Sequence, residues 1–211
     1  MSVSLIVLNV AVFIYEFALG QGANGFIMRN GLIPAGIMGA GGVAGVPFKP
    51  YTLITSLFLH GGWLHVGGNM LYLWIFGDNV EDRLGHVRFL IFYLLCGVAA
   101  SFTHVLANPA STVPTIGASG AIAGVLGAYF LLYPKSKVLT LLPLGFYLQV
   151  VQVPAFLFLG FWFLLQFVVG AASLSAGAAG REGVAWWAHV GGFAAGAGLQ
   201  FVFRKRSGEW A

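Results

Sequence analysis

The stretch Ile116-Gly-Ala-Ser-Gly-Ala-Ile-Ala-Gly124 places the hydroxyl group of Ser119 among small residues at the start of an apolar segment. Serine is one of the residues that cap helix N-termini, so this stretch predicts that a helix begins here. A serine in such a place is either a cap or a nucleophile. Which role applies depends on the side chains that other helices bring to the same place.

The composition predicts a protein embedded in lipid. Of its 211 residues, 59% are hydrophobic and 8% are charged, and the mean hydropathy is +0.89. A soluble domain carries about 25% charged residues. Long apolar segments without alternation favour helices over a β-barrel. We therefore expect an all-α, polytopic membrane protein with one domain over residues 1–211, in which the single cysteine, Cys96, is a small buried hydrophobe.

Six segments are apolar enough to be predicted as transmembrane helices. They cover approximately residues 4–19, 65–78, 89–106, 119–133, 155–174 and 184–203. The second and fourth are short, which suggests that they begin below the membrane surface. The long connection over residues 20–64 is rich in glycine but still apolar, so we expect it at the interface. The segment over residues 141–153, bounded by Pro143 and Pro154, is also expected at the interface.

The basic residues orient this predicted bundle. Six helices put both termini on one side, which then carries seven basic residues, against three on the other side. The larger group comprises Arg83, Arg88, Lys135, Lys137, Arg204, Lys205 and Arg206; the smaller comprises Arg29, Lys49 and Arg181. The positive-inside rule therefore places both termini in the cytoplasm. The net charge of +4 is accounted for by topology, and it does not indicate nucleic-acid binding.

Polar side chains on three predicted helices fall at one membrane depth. His65 and Asn69 lie one turn apart on the second helix, Ser119 begins the fourth, and His189 lies in the sixth. Polar groups at membrane depth are costly and indicate function by default. With no acid beside them, Ser119 and His189 predict a nucleophile–base dyad. Oxyanion donors would be Asn69, His65 and the Ser119 N–H.

The dyad requires the fourth and sixth helices to approach closely. Both carry glycines that permit such an approach. These are Gly120, Gly124 and Gly127 on the fourth helix and Gly192, Gly196 and Gly198 on the sixth. Structural alternatives remain open: Ser119 as a helix cap, His189 as a core histidine and Asn69 as an interhelical hydrogen-bonding residue. His60, His65 and His104 leave a weak metal site open, although no His-Glu-x-x-His run exists.

The combination of His65-x-x-x-Asn69, Gly117-x-Ser119-Gly120 and Ala188-His189-x-x-Gly192 resembles the rhomboid family of intramembrane serine proteases. The runs His60-Gly-Gly-Trp-Leu-His65 and Phe76-Gly-Asp-Asn-Val-Glu-Asp82 resemble bacterial members. The resemblance implies a six-transmembrane-helix bundle with Ser119 as nucleophile and His189 as general base. His65, Asn69 and Gly117, with the Ser119 N–H, would form the oxyanion and substrate-binding part.

The same resemblance implies how such a protein works. It would cleave transmembrane helices of other membrane proteins near their outer ends, in a bacterial cytoplasmic membrane, without metal or organic cofactor. Two positions depart from the family pattern. Ala123 stands where many members have an aromatic residue against the histidine, and Tyr51-Thr52 stands where many have a Trp-Arg pair. We therefore expect a Trp or Phe elsewhere to support His189.

Two other functions remain open. A non-proteolytic relative would use the same fold to hold client membrane helices in a binding or quality-control role. A small channel or transporter is the weaker alternative, because the charged pathway residues expected inside transporters are absent and no inverted repeat is visible.

Overall fold

The computed structural model describes residues 1–37, 47–144, 147–175 and 185–205, and it is mostly helical. The α-helices are α1 Ser2–Ala18, α2 Ala23–Asn30, α3 Pro34–Ile37, α4 Thr52–Thr55, α5 Trp63–Tyr72, α6 Asp78–Leu84, α7 His86–Ala107, α8 Ser119–Leu132, α9 Ala155–Ser175 and α10 Trp186–Phe203. Short 3₁₀ turns cover Gly20–Gly22 and Ser56–Phe58, and a π-helical stretch, Leu73–Gly77, joins α5 to α6.

Helical segments occur at all six predicted places, but the second is longer than predicted. It runs from α5 through the π-helical stretch to the end of α6. The prediction of a short second helix is therefore wrong. The helix continues past the predicted end at Asp78 and ends only at Gly85, whose φ of 87° favours glycine. The short fourth helix is confirmed, since α8 has 14 residues. The predicted first residue of the sixth, Val184, lies outside the described residues.

Two of the described helices, α7 and α9, are individually long and apolar enough to cross a membrane. Helix α1 and the segment Gly20–Asn30 pass the same test together, but they meet at an angle of 112°. Helix α8 is apolar and shorter than a usual span. Because apolar side chains cover much of the surface of these helices, the described part of the chain is that of a membrane protein.

Helices α7, α8 and α10 form the centre of the bundle, and glycines bring them together. A Cβ atom added to Gly192 would overlap the Gly120 carbonyl oxygen, and one added to Gly196 would overlap that of Gly124. The predicted glycine contact between the fourth and sixth helices is thereby confirmed. Gly198 takes no part in this contact, since a Cβ atom there would meet none of the described residues within 4 Å.

Helix α7, the third of the central helices, packs against α8 at the same place. A Cβ atom added to Gly124 would also overlap Cys96 of α7, which is fully buried as predicted. Contacts this close bring the three backbones together and fix the relative depth of the residues that each helix carries.

The prediction of an all-α fold is wrong over residues 137–154. Strands β1, Lys137–Leu144, and β2, Tyr147–Pro154, form an antiparallel pair with Lys137 opposite Pro154 and Leu144 opposite Tyr147. Pairing satisfies the backbone N–H and C=O groups of a segment that is apolar yet leaves the helix bundle. The β-branched residues of this segment favour strand over helix. They are Val138, Thr140, Val150, Val151 and Val153.

Several chain segments meet at one end of the molecule. The N–H and hydroxyl groups of Ser2 both donate to the Glu81 carboxylate at 2.6 Å. The Lys205 N–H donates to the Arg83 carbonyl at 3.1 Å, and the Arg83 Nε donates to the Tyr133 hydroxyl at 3.1 Å. The start of α1 and the ends of α6, α8 and α10 therefore share this end, where the predicted topology places basic residues. Arg181 and Arg206 lie outside the described residues.

Within the described part of the long first connection, side-chain hydroxyl groups bind α4 to the end of α2. The Tyr51 hydroxyl donates to the Arg29 carbonyl at 3.1 Å, and the Thr55 hydroxyl donates to the Asn30 carbonyl at 2.7 Å. Tyr51 and Thr55 therefore attach α4 to the end of α2. Thr52 is buried, and its hydroxyl donates to the Lys49 carbonyl at 2.6 Å within the same segment.

Candidate active site

Ser119 is the first residue of α8, and its hydroxyl does not cap the helix. Ala118 occupies the N-cap position, and no side chain makes a capping hydrogen bond there. The preceding turn needs a glycine at Gly117, whose φ is 121°. A Cβ atom at Gly117 would lie 2.7 Å from His65 Nε2. The Gly117 N–H donates to the Ser56 carbonyl at 2.9 Å, which fixes this turn.

The Ser119 hydroxyl contacts the imidazole of His189. Its Oγ lies 2.8 Å from His189 Nε2, although the two residues are 70 positions apart in the chain. This distance lies in the range of a nucleophile and its general base. The contact depends on the glycine packing of α8 against α10, because a side chain at Gly192 would push the helices apart.

The other nitrogen of His189 has a partner that the sequence analysis missed. The Oε1 atom of Gln166, on α9, lies 2.6 Å from His189 Nδ1. Gln166 is 5% exposed, and it is a polar residue in the apolar run Phe161-Trp-Phe-Leu-Leu-Gln-Phe-Val-Val169. A polar side chain in the middle of an apolar helix was the signal that could have identified it.

Tryptophans support the His189 ring in place of an aromatic residue at position 123. Ala123 is fully buried and offers no ring. The Trp162 ring, also on α9, lies with its centroid 5.8 Å from that of His189 at an interplanar angle of 36°. The Trp186 ring meets the imidazole edge-on at 6.4 Å. The expectation that a Trp or Phe elsewhere supports His189 is confirmed.

His65 and Asn69 lie on α5 and face the same cavity as the dyad. The Gly61 N–H donates to His65 Nδ1 at 3.3 Å. A neutral imidazole that accepts at Nδ1 carries its hydrogen on Nε2. That nitrogen is the one next to Gly117. His65 is therefore set up as a hydrogen-bond donor beside Ser119.

Asn69 contributes a second donor. It is buried, and its amide nitrogen has no hydrogen-bond partner among the residues that the structure describes. Buried donors are rarely left unpaired unless a ligand or water completes them. Both α5 residues line a cavity of about 700 Å³, together with Ser119, His189 and Trp162. The remaining lining is mostly apolar, as a cavity for an apolar chain would require.

A buried polar pair lies behind His65. The His60 N–H donates to the Glu16 carboxylate of α1 at 3.2 Å, and the His60 and His65 rings meet edge-on at 5.1 Å. These contacts attach the turn before α5 to α1. Over the described ranges, no three His, Cys, Asp or Glu side chains are grouped so that they could hold a metal ion.

This geometry can support acyl transfer. One hydroxyl group contacts one imidazole, and His65 and Asn69 line the same cavity. A sequence comparison agrees with the family pattern of the motifs, because the profile of the Rhomboid domain matches residues 47–206. The chain belongs to the rhomboid family. All of the residues just described except Glu16 fall inside the matched range.

Curated relatives of this rhomboid come from organelles and from bacteria. Rhomboid protein 1, mitochondrial, of Saccharomyces cerevisiae is 36% identical over 146 residues, which cover 67% of this chain and 38% of the yeast protein. Rhomboid-like protein 11, chloroplastic, of Arabidopsis thaliana is 30% identical over 165 residues, which cover 74% of this chain and 53% of the plant protein.

A bacterial relative carries the word protease in its name. Rhomboid protease GluP of Bacillus subtilis is 42% identical over 78 residues, which cover 37% of this chain and 15% of GluP. The chain thus spans about half or less of the length of these relatives. The range of sources leaves the predicted bacterial origin a prediction.

Proposed function

We propose that this rhomboid is an intramembrane serine endopeptidase that cleaves transmembrane segments of other membrane proteins. The observation that carries the proposal is the 2.8 Å contact between Ser119 Oγ and His189 Nε2 at the wall of a cavity of about 700 Å³. A capping serine would not need a histidine partner, and a core histidine would not need a serine partner. Neither would need a buried asparagine with an unpaired amide in the lining of the same cavity. The name of GluP supports a protease within the same family.

The proposed reaction uses the dyad in two steps. Ser119 Oγ attacks the substrate carbonyl carbon while its proton passes to His189 Nε2. The carbonyl oxygen becomes an oxyanion, which the Asn69 amide, His65 Nε2–H and the Ser119 N–H would bind in this proposal. The C–N bond then breaks, and the leaving amine takes the proton from His189. A water molecule, deprotonated by His189, hydrolyses the acyl ester and regenerates Ser119.

The membrane setting follows the charge pattern. In this proposal the chain is one domain over residues 1–211 with six transmembrane segments in a cell membrane. Both termini and the end where Ser2 contacts Glu81 face the cytoplasm. The cavity then opens toward the outer side, so substrates are cut near their outer ends. The cavity's apolar lining suits an apolar substrate segment.

The test is cleavage of a single-pass model substrate by purified protein in micelles or liposomes. We expect Ser119→Ala and His189→Ala each to abolish product formation, because each removes half of the dyad. Ser111→Ala, a serine outside the cavity, serves as the matched control and should cleave like wild type. Equal cleavage by all four proteins would refute the proposal. Intact client helices that co-purify with an uncleaving wild type would indicate the binding protein instead.

A further inference from the structure

One buried polar side chain of helix α9, that of Gln166, contacts His189 of the dyad. The apolar side chains of α9 around Gln166 are exposed toward the surroundings of the bundle, whereas Gln166 itself is 5% exposed and points at His189. The exposed neighbours are Phe161, Leu164, Leu165, Phe167 and Val168. A primary amide buried in this position has lost its solvation and regains a hydrogen bond from the imidazole.

The direction of that hydrogen bond follows from the chemistry at the other nitrogen. For Ser119 to give up its proton, its hydroxyl must donate to an unprotonated His189 Nε2. A neutral imidazole then carries its hydrogen on Nδ1, and the atom 2.6 Å away has to accept it. The Gln166 Oε1 atom is such an acceptor.

We propose that Gln166 is a positioning residue, which holds His189 in the tautomer and ring orientation that the reaction needs. This inference rests on the proposed function. When His189 takes the Ser119 proton, both ring nitrogens carry hydrogens, and the Nδ1–H bond to Oε1 persists. The neutral amide takes up no proton. Gln166 therefore fixes the ring through the whole cycle while the proton moves only between Ser119, Nε2 and the leaving amine.

The same helix restrains the ring in a second way. Trp162 lies one turn before Gln166, so both side chains project from one face of α9. The Trp162 ring lies tilted by 36° against the imidazole ring, and Gln166 Oε1 lies 2.6 Å from its Nδ1. Together they hold the ring in the absence of an aromatic residue at Ala123.

The experiment separates positioning from plain structural support. Gln166→Met keeps the length of the side chain but removes the acceptor, and Gln166→Glu keeps an acceptor. We expect Gln166→Met to lower kcat roughly 10- to 100-fold, by analogy with the loss when the partner that orients a metal-ligating histidine is removed, with KM unchanged. Gln166→Glu should stay within a few-fold of wild type. Gln152→Met, at an exposed position of β2, is the matched control and should behave like wild type.

The second readout is the tautomer itself, measured from imidazole ¹⁵N shifts of histidine-labelled protein in micelles. The His189 signals are assigned by their loss in His189→Ala. Wild type and Gln166→Glu should carry the hydrogen on Nδ1, and Gln166→Met should show a mixture. A wild-type His189 protonated at Nε2 would overturn the inference even if Gln166→Met did not fold. An unchanged kcat and tautomer in folded Gln166→Met would overturn it as well.

Failure of the inference and failure of the proposed function give different results. If Ser119→Ala cleaves like wild type, the proteolytic function fails, and the tautomer measurement still reports whether Gln166 sets the state of His189. If the dyad variants are inactive while Gln166→Met is fully active with an unchanged tautomer, only the role of Gln166 fails.

Discussion

At the scale of single residues, the unpaired amide of Asn69 is the feature that most directly indicates a chemical role. Its nitrogen is buried without a partner in the described part of the chain, and Asn69 lines the same cavity as Ser119. Leaving such a donor unpaired costs about 1–3 kcal/mol. In the proposed reaction, an oxyanion that forms only during catalysis would pair with this donor, and the interaction would favour the transition state over the bound substrate.

We therefore expect Asn69→Ala to lower kcat by roughly tenfold to a thousandfold, the scale for one oxyanion donor, with little change in KM. The comparison is with Asn79→Ala, an exposed asparagine at the start of α6. Steady-state kinetics on the single-pass substrate supply the measurement. If Asn69→Ala raised KM and left kcat intact, Asn69 would bind substrate without stabilising the oxyanion.

Ala123 shows how a departure from a family pattern can be compensated elsewhere. The position one turn after Ser119 offers no ring to His189, yet the imidazole contacts Trp162 and Trp186. Neither contact could be predicted residue by residue. Both depend on where α9 and the start of α10 lie relative to the dyad.

At the scale of elements, the packing of α8 against α10 determines whether the dyad exists. Without bulky side chains between them, the two backbones come close enough for the Ser119 hydroxyl to reach His189. Two glycines of α10 differ in this respect. A Cβ atom added to Gly196 would overlap Gly124, whereas one added to Gly198 would meet none of the described residues within 4 Å. These two positions form a matched pair for testing the contact.

The Gly196→Ala substitution should destabilise the protein by about 1–3 kcal/mol, the usual cost of overpacking a well-filled contact. It should also lower activity by displacing His189. Gly198→Ala adds the same methyl group in open space and should be neutral or slightly stabilising, since alanine favours helix by up to about 1 kcal/mol. Thermal unfolding in micelles and substrate cleavage are measured on both. Equal effects of the two substitutions would mean that the α8–α10 contact at Gly196 does not limit stability or activity.

At the scale of the whole molecule, Glu81 connects segments far apart in the chain. Its carboxylate accepts hydrogen bonds from Ser2 and contacts the Met1 amino group at 2.5 Å and the His86 ring. It lies beyond the apolar part of its helix. Burial by itself raises the Glu81 pKa, but these hydrogen bonds outweigh burial and lower the pKa to about 2.

A depressed folded-state pKa implies a defined pH dependence. Glu81 stabilises the fold fully above its unfolded pKa of about 4.3, and the contribution is lost as the pH falls toward 2. Glu81→Gln should therefore lower the unfolding midpoint at pH 7, and its difference from wild type should shrink as the pH approaches 2. Asp82→Asn, exposed on the same helix, is the control and should show neither effect. A difference that did not depend on pH would exclude the charge as its source.

The sequence alone determines the lipid surroundings, the places of the helices and the candidate site residues. These properties depend on local sequence or on the composition of the whole chain. Composition decides that the surroundings are lipid, and apolar runs place the helices, with most bounds within a few residues. The residues Ser119, His189, His65 and Asn69 stood out because polar groups are costly at membrane depth. Apolar content alone was less decisive over residues 137–154, where it suits either a helix or a strand, although the β-branched residues favour a strand.

Only the tertiary structure decided what these residues contact. The 2.8 Å distance between Ser119 and His189, the bond from His189 to Gln166 and the ring of Trp162 join helices that are remote in sequence. The hairpin pairing is likewise a relation between two strands. Such distances follow from how glycine faces fit together in three dimensions, and small residues permit close packing without specifying which side chains it will bring into contact.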